Sequence, residues 1–149
     1  IFLDADTQLD QTFLEELVLF FSGLDIQKLS VGTTDVLPAG DQSTKARLWY
    51  KFYNFGHKLT KSSYSIQIIK SSLKDKLKFD VTINFGEDLK LIKEACKLGK
   101  FFYIKTQSVR TSTRRFDNVG YFRQFILWNY QALILARTRK KSGEYKVMR

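Results

Sequence analysis

The chain opens on Ile1-Phe2-Leu3-Asp4-Ala5-Asp6, three apolar residues running straight into two carboxylates one residue apart. A short apolar run that ends in a polar cluster predicts a buried strand delivering its last residues to a site. In open α/β sheets, sites lie beyond the carboxyl ends of the strands. Two acidic side chains held together repel each other and favour a cation between them. Hard divalent ions take oxygen ligands, and Mg²⁺ is usually held by one or two carboxylates together with substrate phosphates. The alternative is a solvated turn from Asp4 to Thr7 that caps the next helix, and the triplet alone does not decide between the two. The strand has no lead-in, and a terminal strand leaves an edge open. The expectation is therefore that these residues form the back part of a longer domain.

A chain of 149 residues can bury a real core, and 44% hydrophobic with 27% charged residues is an ordinary globular balance. The aromatic content, with 13 Phe and 7 Tyr, argues against disorder. The single cysteine, Cys96, excludes an internal disulfide and a cysteine-based metal cage. No apolar run approaches the roughly 20 residues that span a bilayer. The formal net charge of +10 implies an anionic partner: nucleic acid, an anionic membrane face or a phosphorylated substrate. Basic residues concentrate between Lys70 and Lys78 and in Arg137-Thr138-Arg139-Lys140-Lys141.

The periodicity predicts a helix from Asp10 to Ser22, with Asp10 as N-cap, Gly23 as stop, and Glu15 and Glu16 on a solvated face. A strand is expected from Ile26 to Leu37, a loop from Pro38 to Asp41, and a helix from Ser43 to about Leu59. Trp49, Phe52 and Tyr53 on that helix fit core positions or an acceptor groove. His57 is the only histidine, so it cannot build a zinc site or a Ser-His-Asp triad, and isolated histidines are often structural. Tyr64 to Ile69 alternates as a strand, Ser71 to Lys76 fits a short helix, and Phe79 to Asn84 a loop or short strand. Phe85-Gly86-Glu87-Asp88 opens an amphipathic helix that a cationic turn and Gly99 close. Strands follow at Phe101 to Ile104 and Val109 to Ser112, then a polar loop holding Arg114 and Arg115. Adjacent arginines are good anion ligands, because the guanidinium fork matches phosphate oxygens. A long helix from Val119 to Arg137 and a basic tail complete the chain.

Three signals thus stand in order: Asp4-Ala5-Asp6 at a strand end, Gly86-Glu87-Asp88 opening a helix, and Ser112-Thr113-Arg114-Arg115-Phe116 after two strands. Together with Phe79-Asp80 and Lys97-Leu98-Gly99-Lys100, their order and spacing resemble the inverting glycosyltransferases of family 2, from residue 1 to about residue 120. The resemblance implies an α/β chain with a partial GT-A (nucleotide-diphospho-sugar transferase) fold, a mixed sheet flanked by helices, and the N-terminal nucleotide-binding half missing. Residues 1–120 would form the metal and acceptor part of that domain, and residues 119–149 an amphipathic helix with a basic tail.

The implied activity is transfer of a sugar from a nucleotide-diphosphate sugar to an acceptor hydroxyl with inversion. By the same likeness Asp6 would be the direct ligand of Mg²⁺ or Mn²⁺, and Asp4 would contact metal or ribose. Asp88 would be the general base, with Glu87 the second choice, and Arg114 and Arg115 would hold the diphosphate. Implied partners are the nucleotide-diphosphate sugar donor and a sugar, lipid-linked or other hydroxyl acceptor. Localisation is expected to be cytoplasmic, with peripheral contact of the C-terminal helix at the inner membrane face left open.

The chain departs from the family pattern in places. Lys61-Ser62-Ser63-Tyr64 and Leu77-Lys78 stand where glycines are frequent, and the Gln-x-x-Arg-Trp motif of processive members is absent. Polymer synthesis is therefore not expected, and these residues alone are expected to be inactive. Haloacid-dehalogenase-like phosphatases also carry D-x-D after an apolar strand, but they need Thr or Val where Gln8 stands. A non-catalytic basic module that binds nucleic acid or an anionic membrane surface is the alternative. Nucleic acid is the less favoured partner, since the aromatics fall on apolar helix faces instead of among basic residues.

Overall fold

The computed structural model describes residues 1–40, 43–63, 65–80 and 86–138, without the side chains of Arg115, Gln131, Ala132 and residues 134–138. The fold is mixed α/β. The strands are β1 (Phe2–Leu3), β2 (Thr7–Leu9), β3 (Leu29–Thr34), β4 (Leu37–Pro38), β5 (Ile66–Ile69), β6 (Lys100–Ile104) and β7 (Val109–Thr111). The helices are α1 (Phe13–Ser22), α2 (Thr44–Thr60), α3 (Glu87–Cys96), α4 (Arg114–Val119) and α5 (Tyr121–Thr138).

The larger sheet runs β1-β5-β3-β6. β5 is antiparallel to both β1 and β3, while β3 and β6 are parallel. A smaller sheet, β2-β7-β4, pairs β7 antiparallel with β2 and parallel with β4. Both sheets are thus mixed, with helices flanking them.

Alternation along the central strands separates two layers, because successive side chains of a strand point to opposite faces. Val31 with Ile69 and Phe101 packs against Ile92 and Ala95 of α3. Ile68, Phe102 and Ile104 face the other way, into a core shared with Phe13 of α1, Ala46 and Tyr50 of α2, Phe116 of α4 and Tyr121 of α5. The parallel pair β3–β6 is closely set at Gly32. A Cβ there would stand 2.4 Å from the Phe102 carbonyl oxygen.

Several expectations change in detail. Among the described residues β1 is an edge strand and not a buried one: Phe2 and Leu3 are exposed, and only β5 pairs with β1. Thr12, not Asp10, stands at the N-cap position of α1, without a side-chain capping hydrogen bond. Glu16, expected on a solvated face, accepts hydrogen bonds from the Thr106 and Ser108 hydroxyls, which lower its pKa. Ser43 caps α2 as its side chain accepts from the Ala46 amide at 3.2 Å. Residues 26–28 form a 3₁₀ turn ahead of β3.

Gly99 does not cap α3. It lies beside β3, where a Cβ would meet the Lys28 carbonyl oxygen at 3.0 Å. Arg114 and Arg115 begin α4 instead of lying in a loop. Gly120, at φ +89°, separates α4 from α5, and α5 folds close to the long helix expected from Val119 to Arg137. Tyr64 and residues 81–85 lie outside the described residues, and with them part of two expected strands.

Candidate active-site cleft

Four of the acidic residues singled out from the sequence meet at one place. Asp4, Asp6, Glu87 and Asp88 all line a cleft of about 430 Å³. Residues 4–7 turn out of β1, closed by the Thr7 amide donating to the Asp4 carbonyl at 3.0 Å. This turn joins the two sheets. The Asp4 amide donates to the Ser65 carbonyl, next to β5, and the Ser112 amide donates to the Asp6 carbonyl, just past β7. The carboxylates of Asp4 and Asp6 are thereby carried on a backbone tied to both sheets, with both residues exposed to the cleft.

Glu87 and Asp88 enter from the start of α3. Gly86 adopts φ +78° at the N-cap, a left-handed conformation that suits glycine, and it is buried. Asp88 is only 9% exposed. Burial pushes its carboxyl up to about 7. The Leu89 amide, donating at 2.7 Å, opposes that shift, and the negative charges of Glu87 and Asp4 reinforce it. The helix N-terminus favours an ionised carboxylate, but here desolvation outweighs it.

Part of the lining is aromatic: Tyr50 and Tyr53 of α2, Phe116 of α4 and Trp128 of α5 line the cleft. Phe2 and Phe79, packed edge to face at 5.1 Å, form another part of the rim. The Tyr50 hydroxyl sits 3.5 Å from the Ser112 carbonyl, and burial raises its pKa, so it stays protonated.

Gln67 is a lining residue that sequence reasoning missed. It is 5% exposed, and among the described residues its side-chain oxygen has no hydrogen-bond partner. A buried polar atom without a partner costs about 1–3 kcal/mol, so this one is poised to take a donor from whatever fills the cleft. Its signal in the sequence was a lone amide within Ile66-Gln67-Ile68-Ile69, a stretch otherwise apolar.

The arginines stand differently. Arg114 is exposed at the start of α4 and does not line the cleft, though its amide donates to Ser112 Oγ at 3.2 Å. The side chain of Arg115 lies outside the described residues. His57 does not line the cleft either. It packs edge-on to Tyr53 at 4.1 Å, bonds Ser62 Oγ through Nδ1 at 2.8 Å, and burial pushes its pKa down to about 4.

Asp4 and Asp6 suit a hard cation that arrives with a phosphate-bearing ligand. Among the described residues no group of three or more His, Cys, Asp or Glu side chains gathers as a metal cage. Two carboxylates on one turn are the donor set Mg²⁺ takes when phosphates and waters complete the shell.

Comparison of the chain with protein-family models, with curated proteins and with solved structures returned no match. The reading of the cleft therefore rests on its own chemistry.

Proposed function

We propose that this chain carries the metal and acceptor side of an inverting glycosyltransferase acting on a nucleotide-diphosphate sugar, with a GT-A type of fold. The observation that carries the reading is the meeting of Asp4 and Asp6 with Glu87 and Asp88 in one cleft, although 80 residues separate the two pairs. Separate carboxylate pairs are what metal-assisted departure of a diphosphate and deprotonation of an acceptor require.

Asp6, with Asp4 beside it, would hold a divalent cation, which supplies Lewis-acid stabilisation of the charge growing on the diphosphate. Asp88 takes the acceptor proton. A general base works best when its pKa lies near the operating pH and contributes about 10²–10⁴ in rate. Burial brings Asp88 to about 7, so it is both substantially ionised and basic at neutral pH. Glu87 keeps a negative charge next to it and holds its basicity up. The aromatic lining of Tyr50, Tyr53 and Trp128 offers flat apolar faces to a sugar ring. The Gln67 oxygen offers an acceptor to a sugar hydroxyl.

The test is release of nucleoside diphosphate in the presence of Mn²⁺ and a panel of saccharide acceptors, measured on the complete reading frame that contains this chain. Asp88→Asn is expected to lower turnover about 10²–10⁴-fold while leaving donor binding within a few-fold. Turnover near that of the unaltered protein would remove Asp88 from the role of base.

A further inference from the structure

We infer that α2 and α5 together form a docking face for an anionic lipid surface. The inference is independent of sugar transfer.

Helix α2 carries two apolar faces where a surface helix of a globular protein carries one. Its inner face, Ala46, Trp49, Tyr50 and Tyr53, enters the core. Its outer face, Leu48, Phe52, Phe55 and Leu59, repeats at positions i, i+4, i+7 and i+11 and is exposed. Leu59 is 72% exposed and Phe55 64%, so among the described residues this end of the stripe is largely uncovered. Helix α5 does the same: Tyr121 and Trp128 face the core, while Phe122, Ile126, Tyr130 and Leu133 are exposed.

The two outer faces are continuous. Phe52 and Phe125 meet at 5.6 Å, and Trp49 lies 5.9 Å from each of them. The result is one apolar surface across two helices, and isolated exposed apolar residues are the ordinary case, not contiguous patches of this kind.

Charge identifies the partner. Neither α2 nor α5 contains a single Asp or Glu. Arg47, Lys51 and Lys58 are exposed and share one flank of the α2 stripe, since they fall about 60–110° around the helix from its centre at 100° per residue. An apolar face bordered by cations and free of carboxylates is the pattern of a helix lying in the plane of an anionic bilayer interface. Lysine and arginine stems cover apolar surface there while their charged ends reach the headgroups. Phe52, Phe55, Phe122 and Tyr130 are set among Leu48, Leu59, Ile126 and Leu133 in one apolar face, with the basic residues of α2 along its flank instead of interleaved with the rings as a nucleic-acid face would have them. No helix among the described residues is long and apolar enough to cross a membrane, so the contact is interfacial.

The test is flotation of the 149-residue chain with phosphatidylcholine vesicles, with and without phosphatidylglycerol, at low and high salt. Binding is expected with the anionic vesicles at low salt and is lost at high salt. Replacing Arg47, Lys51 and Lys58 together by Gln should lower partitioning about a hundredfold. Phe55→Ser with Leu59→Ser should lower it at least tenfold, and circular dichroism should show both variants folded, since all five positions are exposed. In the unaltered protein, lipids brominated high on the acyl chain should quench tryptophan fluorescence, because Trp49 borders the face. Absence of flotation on anionic vesicles at low salt, or absence of quenching, would overturn the inference. So would binding that neither set of substitutions reduces, or a dimer in sedimentation that Phe55→Ser dissolves while vesicles bind nothing.

Discussion

Asp88 is subject to two opposed influences, the N-terminus of α3 and its own burial, and burial prevails. The consequence for stability has a definite sign. Its folded pKa of about 7 exceeds the ordinary value of 3.8, so the folded state binds the proton more tightly than the unfolded chain. This group therefore favours folding most at low pH, and that contribution is lost as pH rises from about 4 through about 7. The expectation is that Asp88→Asn raises the Tm at pH 8 by several degrees while at pH 4 it changes it little, as thermal melts at the two pH values would report. An unchanged Tm at pH 8 would mean that the ionised carboxylate is not penalised by its surroundings. Gln67 makes a parallel case. Gln67→Leu removes a buried oxygen that lacks a partner among the described residues, and it should hold or raise stability by about 1 kcal/mol while weakening any ligand of the cleft; loss of Tm would show that the amide is satisfied in the free protein. Asp4, Asp6, Glu87 and Asp88 were legible in the sequence because each stands where an apolar period breaks into charge. The pKa of Asp88 was not legible, since it depends on what covers the start of α3. Gln67 was not either, because one amide in a strand does not reveal which face the fold will open.

The elements show the same division. Periodicity placed α1, α2, α3, β5, β6 and β7 close to where they fold. It placed α5 as well but missed α4, reading Arg114 and Arg115 into a polar loop, because six residues are too few to show a helical period. The break between α4 and α5 comes from Gly120, whose φ of +89° only glycine adopts readily. Gly120→Ala should therefore cost about 1 kcal/mol or more, read as a lower Tm. An unchanged Tm would mean that the two helices can run on as one. Strand β1 illustrates the converse. An apolar triplet predicts burial, but burial is a property of neighbours, and among the described residues β1 has only β5. The tightest constraint lies between β3 and β6 at Gly32, where a methyl group would overlap the Phe102 carbonyl oxygen at 2.4 Å. Gly32→Ala should part the parallel pair and cost several kcal/mol, at the severe end of single substitutions; a soluble variant with wild-type Tm would contradict the register.

At the scale of the whole molecule, charge is divided by function. The net charge of +10 coexists with a cleft whose titratable lining includes four carboxylates. Such a cleft would repel a diphosphate unless a cation came with it, so the account stands or falls on metal-dependent binding. Calorimetry on the complete reading frame that contains this chain, with a panel of nucleoside diphosphates titrated in Mn²⁺ and in metal-free buffer, measures this directly. The account predicts binding of at least one diphosphate that requires Mn²⁺ and weakens at least tenfold in Asp6→Asn. Equal affinity in the unaltered chain and Asp6→Asn, or equal affinity with and without Mn²⁺, would contradict it.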